Sequence, residues 1–77
     1  MTRLPVTTGH ELIRLLVQLG FAEARVHGSH HLLRHSDGRR TAVPVHGHQD
    51  ITHVLLMRIL REISLSHEDF ARLADAL

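Results

Sequence analysis

The sequence predicts an α+β domain in which helices cover one face of a small antiparallel sheet, in the order α-β-β-β-α-α. Three observations carry that prediction. Apolar residues recur at helical spacing over residues 12–19 and again over 54–63. Three short runs between residues 21 and 46 alternate with period two instead. The runs are separated by Gly28-Ser29 and by Asp37-Gly38, dipeptides that suit hairpin turns. With 77 residues, 43% of them apolar and none of them cysteine, the chain makes one domain, residues 1–77. That size is near the lower limit for a self-sufficient core, so a protein partner is expected to supplement it.

Each element has a local reason. Thr8-Gly9-His10-Glu11 has the capping-box spacing, a hydroxyl at the N-cap and a carboxylate three residues on. Leu12, Leu15, Leu16 and Leu19 follow at helical spacing and Gly20 stops the helix, so the first helix spans roughly residues 9–19. Phe21–His27 sets Ala22, Ala24 and Val26 against Glu23, Arg25 and His27, the pattern of a half-buried strand. His30–His35 is the second strand and Arg40–His46 the third, with Val43 and Val45 on one face. Pro44 lacks a ladder donor and places the third strand at a sheet edge. Two tight hairpins in succession make a meander.

Past the polar loop at residues 46–50, Val54–Ile63 is apolar over a wide helical arc, wider than one sheet contact requires. Ser66 then caps a short terminal helix striped by Phe70, Leu73, Ala74 and Leu77. Helices therefore lie on one face of the sheet and leave the other open.

Composition excludes several classes of chemistry. There is no cysteine, tyrosine or tryptophan, no paired-carboxylate motif of the acid–base kind and no glycine-rich phosphate loop. No stretch approaches the ~18 apolar residues of a membrane span, and the N-terminus lacks a signal-peptide core. A soluble cytoplasmic protein is expected. All nine cationic side chains are arginine, and the net charge is only +1. Residues 25–48 hold Arg25, Arg34, Arg39 and Arg40 against Asp37 alone, with six of the nine histidines, whereas residues 49–77 hold three arginines against five acids. Positive potential is thus concentrated in the middle third, where phosphate would be met, although a solvated sheet surface has the same composition.

Nine histidines raise the question of a metal. His46-x-His48 and His31-x-x-x-His35 each offer two ligands. On a strand, however, positions four apart are separated by about 13 Å, too far to share an ion. No cysteine and no helical His-Glu-x-x-His pattern assists, so no metal site is expected. His10, His53 and His67 stand at helix starts, and His27 and His35 at strand ends or exposed strand positions. His30 and His31 are the sharp case. As strand neighbours they point to opposite faces, His30 with Leu32 and Arg34, His31 with Leu33 and His35. An imidazole titrating near a pH of about 6.5 can accept and donate a proton at neutrality.

Taken in order, Gly9–Leu16, Leu19-Gly20-Phe21, Gly28-Ser29-His30, His35–Arg39, Val43–His46, Leu56–Leu60 and Ser66-x-Glu68-Asp69-Phe70 resemble the HicA-type (YcfA-like) mRNA interferase toxins over about residues 8–73. The resemblance implies a fold similar to double-stranded-RNA-binding domains, with a short extra C-terminal helix. It implies an endoribonuclease acting on mRNA without a cofactor, and a HicB-type antitoxin that masks the active site, the toxin being monomeric alone and part of a hetero-oligomer with its antitoxin. The family's catalytic histidine follows a Gly-Ser or Gly-Gly turn, which is His30 here; some members use the next position, His31. RNA contacts are then expected at Gly28, Ser29, Arg25, Arg34, Arg39, Arg40 and His46, and antitoxin contacts at His30, Leu55 and Met57. Three departures stand out: Leu33 replaces a frequent aromatic, no glycine ends the second helix within Arg61–Ser64, and arginines replace the usual lysines. The expected chemistry is attack by the RNA 2′-hydroxyl, with His30 as base, an arginine on the phosphorane, and a leaving-group acid that is His31, His46 or water. The rivals are a non-cutting RNA-binding module, a protein-interaction domain built on helix 54–63 and, weakest, a metal-dependent hydrolase.

Overall fold

A computed structural model describes residues 4–76 and has the elements α1 (Gly9–Gln18), β1 (Ala22–His27), β2 (His30–Arg34), β3 (Arg40–Pro44), α2 (His53–Glu62) and α3 (His67–Asp75). Leu77, expected on the stripe of the last helix, lies outside the described residues.

The capping box forms as the sequence predicts. The Glu11 amide donates to Thr8 Oγ1 at 3.2 Å and the Thr8 amide donates to Glu11 Oε1 at 2.9 Å. Donation from Thr8, backbone first and hydroxyl second, holds the Glu11 carboxyl below its ordinary value. Gly9 opens the helix directly over β3, where a Cβ would come within 2.3 Å of the Pro44 carbonyl oxygen. Only glycine fits that approach.

Both long helices end in the same hydrogen-bond closure. After α1 the Gly20 amide donates to Val17 O and the Phe21 amide to Leu16 O, each at 3.0 Å, with Gly20 at φ 99°. After α2 the Ser64 amide donates to Arg61 O at 3.2 Å and the Leu65 amide to Leu60 O at 3.0 Å. These are Schellman closures, which want a left-handed residue at the turn. Ser64 adopts it at φ 56° without being glycine. The missing glycine at the end of the second helix is thus Ser64, and the helix stops where a glycine would have stopped it.

The sheet runs β1-β2-β3, antiparallel throughout, so β1 and β3 are both edges. Leu33 and Val43 face the helices and are buried among Leu12, Leu15, Leu16, Leu56, Ile59, Leu60, Ile63 and Phe70. Phe70 brings α3 into this core. The N-terminal segment is tied in by the Ile51 amide donating to Thr7 O at 2.8 Å and by the bridge between Thr8 and Asp50.

Three expectations are corrected. β1 is exposed along its whole length rather than half-buried, because it is an edge strand beyond the cover of the helices. A β-bulge between Glu23 and Arg25 also breaks its alternation: Glu23 lies opposite Leu33, but Arg25 lies opposite Leu32. The second hairpin is not a two-residue turn either. It loops over His35–Arg39, with the His35 amide donating to Arg39 O at 2.8 Å and Gly38 at φ 99°. The first hairpin is tight: Gly28 at φ 62° and Ser29 alone separate β1 from β2, the pattern of a type II′ turn. β3 ends at Pro44, two residues before the expected boundary.

Ser64→Gly should raise stability by about 1 kcal/mol, the cost of a left-handed side-chain-bearing residue, measured by denaturant unfolding. Glu11 and Asp37 both titrate below their ordinary values. Groups depressed in the folded state stabilise it above their unfolded pKa and lose that contribution as pH falls through the folded one. Thermal melts from pH 6 down to 2 should therefore show a loss of stability beginning near pH 4.5, and the slope should flatten in Glu11→Gln.

Candidate nucleic-acid interface

Burial of Leu33 on the helix side turns its neighbours outward. His30, Leu32 and Arg34 project from the opposite, open face of β2. Cross-strand pairing extends that face: His30 lies between His27 and Pro44, Leu32 between Arg25 and Ala42, and Arg34 opposite Arg40. The bulge in β1 matters here. It returns Arg25 and His27 to the open face while Glu23 remains on the helix side. The only acid of β1 is thereby removed from the cationic surface.

α2 runs past β3 and adds a wall. Thr41 Oγ1 donates to Glu62 Oε1 at 2.7 Å, and Leu55 and Arg58 reach over the open face from the same helix flank. Between sheet and wall lie two depressions of about 530 and 540 Å³ that share Leu32, Ala42 and Arg58 and form one shallow trough. Arg25, His27 and His30 line its hairpin end, Arg34 and Arg40 the other. A third hollow of about 290 Å³ continues from His30 and Pro44 to His46 and Asp50. His30 belongs to both the trough and this hollow. Its ring is exposed and makes no hydrogen bond or ion pair among the described residues. Glu62 lies 3.9 Å from Arg58 and offsets part of that guanidinium's charge, leaving Arg25, Arg34 and Arg40 as the free cations of the floor among the described residues. An apolar floor edged by guanidiniums sets a stacking surface beside anion-binding groups.

The expected site residues separate into groups. Arg25, Arg34, Arg40 and His30 meet in the trough, and His46 in the adjoining hollow. Gly28 and Ser29 form the hairpin tip beside them; a Cβ at Gly28 would meet nothing, so its glycine is required by φ alone. His31 is on the helix side of β2, its Nδ1 2.6 Å from Glu23 Oε1. Arg39 does not line the trough. Its Nε donates to Asp37 Oδ2 at 2.8 Å, its Nη1 donates to the Ile63 carbonyl that ends α2, and its guanidinium lies 5.1 Å from the Phe21 ring centre. The Arg39 amide, donating to Asp37 Oδ1, is the main reason that the Asp37 carboxyl is held below its ordinary value. Arg39 thus pins the second hairpin to the end of α2. Leu55 and Met57, expected to act together, lie on different flanks of α2, about 200° apart at 100° per residue; only Leu55 faces the trough.

Sequence reasoning missed His27, Leu32 and Arg58. The residues that flank a two-residue turn oppose each other, which would have placed His27 beside His30, and Arg58 sits one turn after Leu55 on the same flank. The bulge carried no comparable signal.

A three-stranded antiparallel sheet with helices on one face and a cationic trough on the other defines a small α+β domain whose fold is like that of double-stranded-RNA-binding domains. A family model described as HicA toxin of bacterial toxin–antitoxin matches residues 9–65, which include α1, the whole sheet and α2. The chain belongs to the HicA toxin family, the toxin side of a toxin–antitoxin pair, and membership implies an antitoxin partner. A comparison with curated proteins gave no match. Among the described residues, no helix is long and apolar enough to cross a membrane.

Arg39→Ala should lower stability by about 1.5–3 kcal/mol, the range for hydrogen bonds to charged groups, in denaturant unfolding.

Proposed function

We propose that this toxin is a metal-independent endoribonuclease of the cytoplasm that cleaves mRNA, with His30 as general base. The observation that carries the reading is the exposed His30 ring, unpartnered among the described residues, at the junction of the trough and the adjoining hollow, with arginines on three strands of the same face. RNA would lie along the trough with its phosphates against Arg25, Arg34 and Arg40 and a base on Leu32. His30 removes the 2′-hydroxyl proton, the 2′-oxygen attacks the adjacent phosphorus, and a 2′,3′-cyclic phosphate and a 5′-hydroxyl result. A guanidinium can bind two phosphorane oxygens at once, which favours arginine for the developing charge. DNA lacks the nucleophile and should resist.

His31 is the weaker candidate for the base, because it faces the helix side and its Nδ1 is engaged by Glu23. Gly28, Ser29 and His46 are proposed to contact the RNA from the hairpin tip and the adjoining hollow. Arg39 is not included, since its donors serve the fold. A HicB-type antitoxin would inhibit by occupying the same trough, covering His30 and packing on Leu32, 38% exposed, and on Leu55. The toxin alone would then be a monomer and its complex a hetero-oligomer. Met57, 40% exposed on the other flank of α2, would be touched only by a partner that wraps the helix.

Induced expression of the wild type should arrest growth and degrade mRNA, with full cleavage in excess chelator. His30→Ala should lose about 10²–10⁴-fold in rate, and His31→Ala should retain cleavage. Loss of activity in His31→Ala with retention in His30→Ala would reverse the assignment; retention in both would overturn the histidine-base mechanism, and wild-type protein that binds RNA without cutting it would leave an RNA-binding module. Replacing Arg34 or Arg40 with Ala should weaken RNA binding and reduce its log–log salt slope by about 1 each.

A further inference from the structure

We propose that His27 is the general acid that protonates the leaving 5′-oxygen, so that the open end of the first hairpin carries a two-histidine acid–base pair. The assignment rests on the nuclease reading above and supplies what a single base leaves missing. One imidazole cannot take the 2′-proton and deliver another to the departing oxygen in the same step. Unassisted, that oxygen leaves as an alkoxide, a poor leaving group.

Three features single out His27. It is the direct cross-strand partner of His30 in the β1–β2 ladder, and opposed residues hold their Cβ atoms about 4.5–5.5 Å apart. Both rings are exposed and line the same depression. The two-residue Gly28-Ser29 turn fixes their register, since lengthening it would uncouple the pair. A phosphate seated between them meets a proton acceptor and a proton donor on one rigid element. The alternatives are placed worse. His31 points to the opposite face and is paired to Glu23. His46 lies beyond the end of β3 in the neighbouring hollow, which His27 does not line.

The step balances without a co-reactant. His30 accepts the proton of the 2′-hydroxyl, the O2′–P bond forms, the P–O5′ bond breaks, and the proton on the His27 ring passes to O5′. His30 ends protonated and His27 neutral, and exchange with water restores both. The charged and titratable groups facing the pair are Arg25 on β1, Arg34 on β2, Arg40 on β3, Arg58 and Glu62 on α2, and His46 and Asp50 in the loop after β3. Arginines, fixed in charge, dominate that set. The pH dependence in the working range therefore comes from the histidines.

The test uses the full chain and an oligoribonucleotide centred on a site mapped by wild-type cleavage of a long transcript. A second oligonucleotide carries sulfur in place of the bridging 5′-oxygen at that site. A thiolate leaves without protonation, so it needs no acid. His27→Ala and His27→Gln should cleave the normal linkage about 10²-fold more slowly than wild type and the sulfur-bridged linkage within a few-fold of it. His30→Ala should fail on both. Wild-type kcat/KM should fall on the acid and alkaline sides, and the alkaline fall should vanish in His27→Ala. Equal slowing of both linkages in the His27 variants, or no slowing of either, overturns the assignment, as does rescue by sulfur in His46→Ala instead. Wild-type protein that cuts neither linkage, nor any transcript, overturns the nuclease reading itself, an outcome distinct from failure of the His27 variants alone.

Discussion

Leu33, 1% exposed, sits beneath the helices, and the pleat of β2 carries that fact to the other side of the sheet. Once its side chain is committed to the core, His30, Leu32 and Arg34 must face away, since strand side chains alternate with no freedom to drift. A one-residue slip would bury His30 and Arg34 and expose Leu33, at the cost of desolvating a cation and losing a core contact. The hydrophobic core therefore holds the cationic face in register. The same apolar contact that folds the chain also aims its histidine.

The β1 bulge modifies this rule where it matters electrostatically. In a regular strand Glu23, Arg25 and His27 would share one face, and a carboxylate would sit among the arginines. The extra residue puts Glu23 on the side of His31, where the two groups engage each other at 2.6 Å. Bulges occur at exposed edges because an edge strand has no second neighbour to disrupt. β1 is such an edge. One unpaired residue thus both clears an acid from the trough and occupies the histidine that competes with His30.

The remaining framework keeps this face rigid. Gly9 lets α1 start against the Pro44 carbonyl, and the two Schellman closures stop α1 and α2 where Phe21 and Leu65 turn back toward the core. Arg39 joins the second hairpin to the carbonyl that ends α2. An arginine read as a phosphate ligand by charge alone is a structural fastener, because its hydrogen bonds are satisfied within the chain.

Local rules determined most of the fold. The capping box at Thr8, the stop at Gly20, the cap at Ser66, the turn at Gly28 and the edge position of Pro44 each depend on neighbouring residues, and each is found. Period-two alternation likewise puts His30 and His31 on opposite faces of the strand. The sequence by itself therefore determined the element order and the membership of β2's two faces. Tertiary structure alone decided which face was open, where the bulge fell, which arginines stayed free, and that Leu55 and Arg58 would join His30. Those outcomes depend on contacts between segments far apart in the chain, and short-range periodicity holds no information about them.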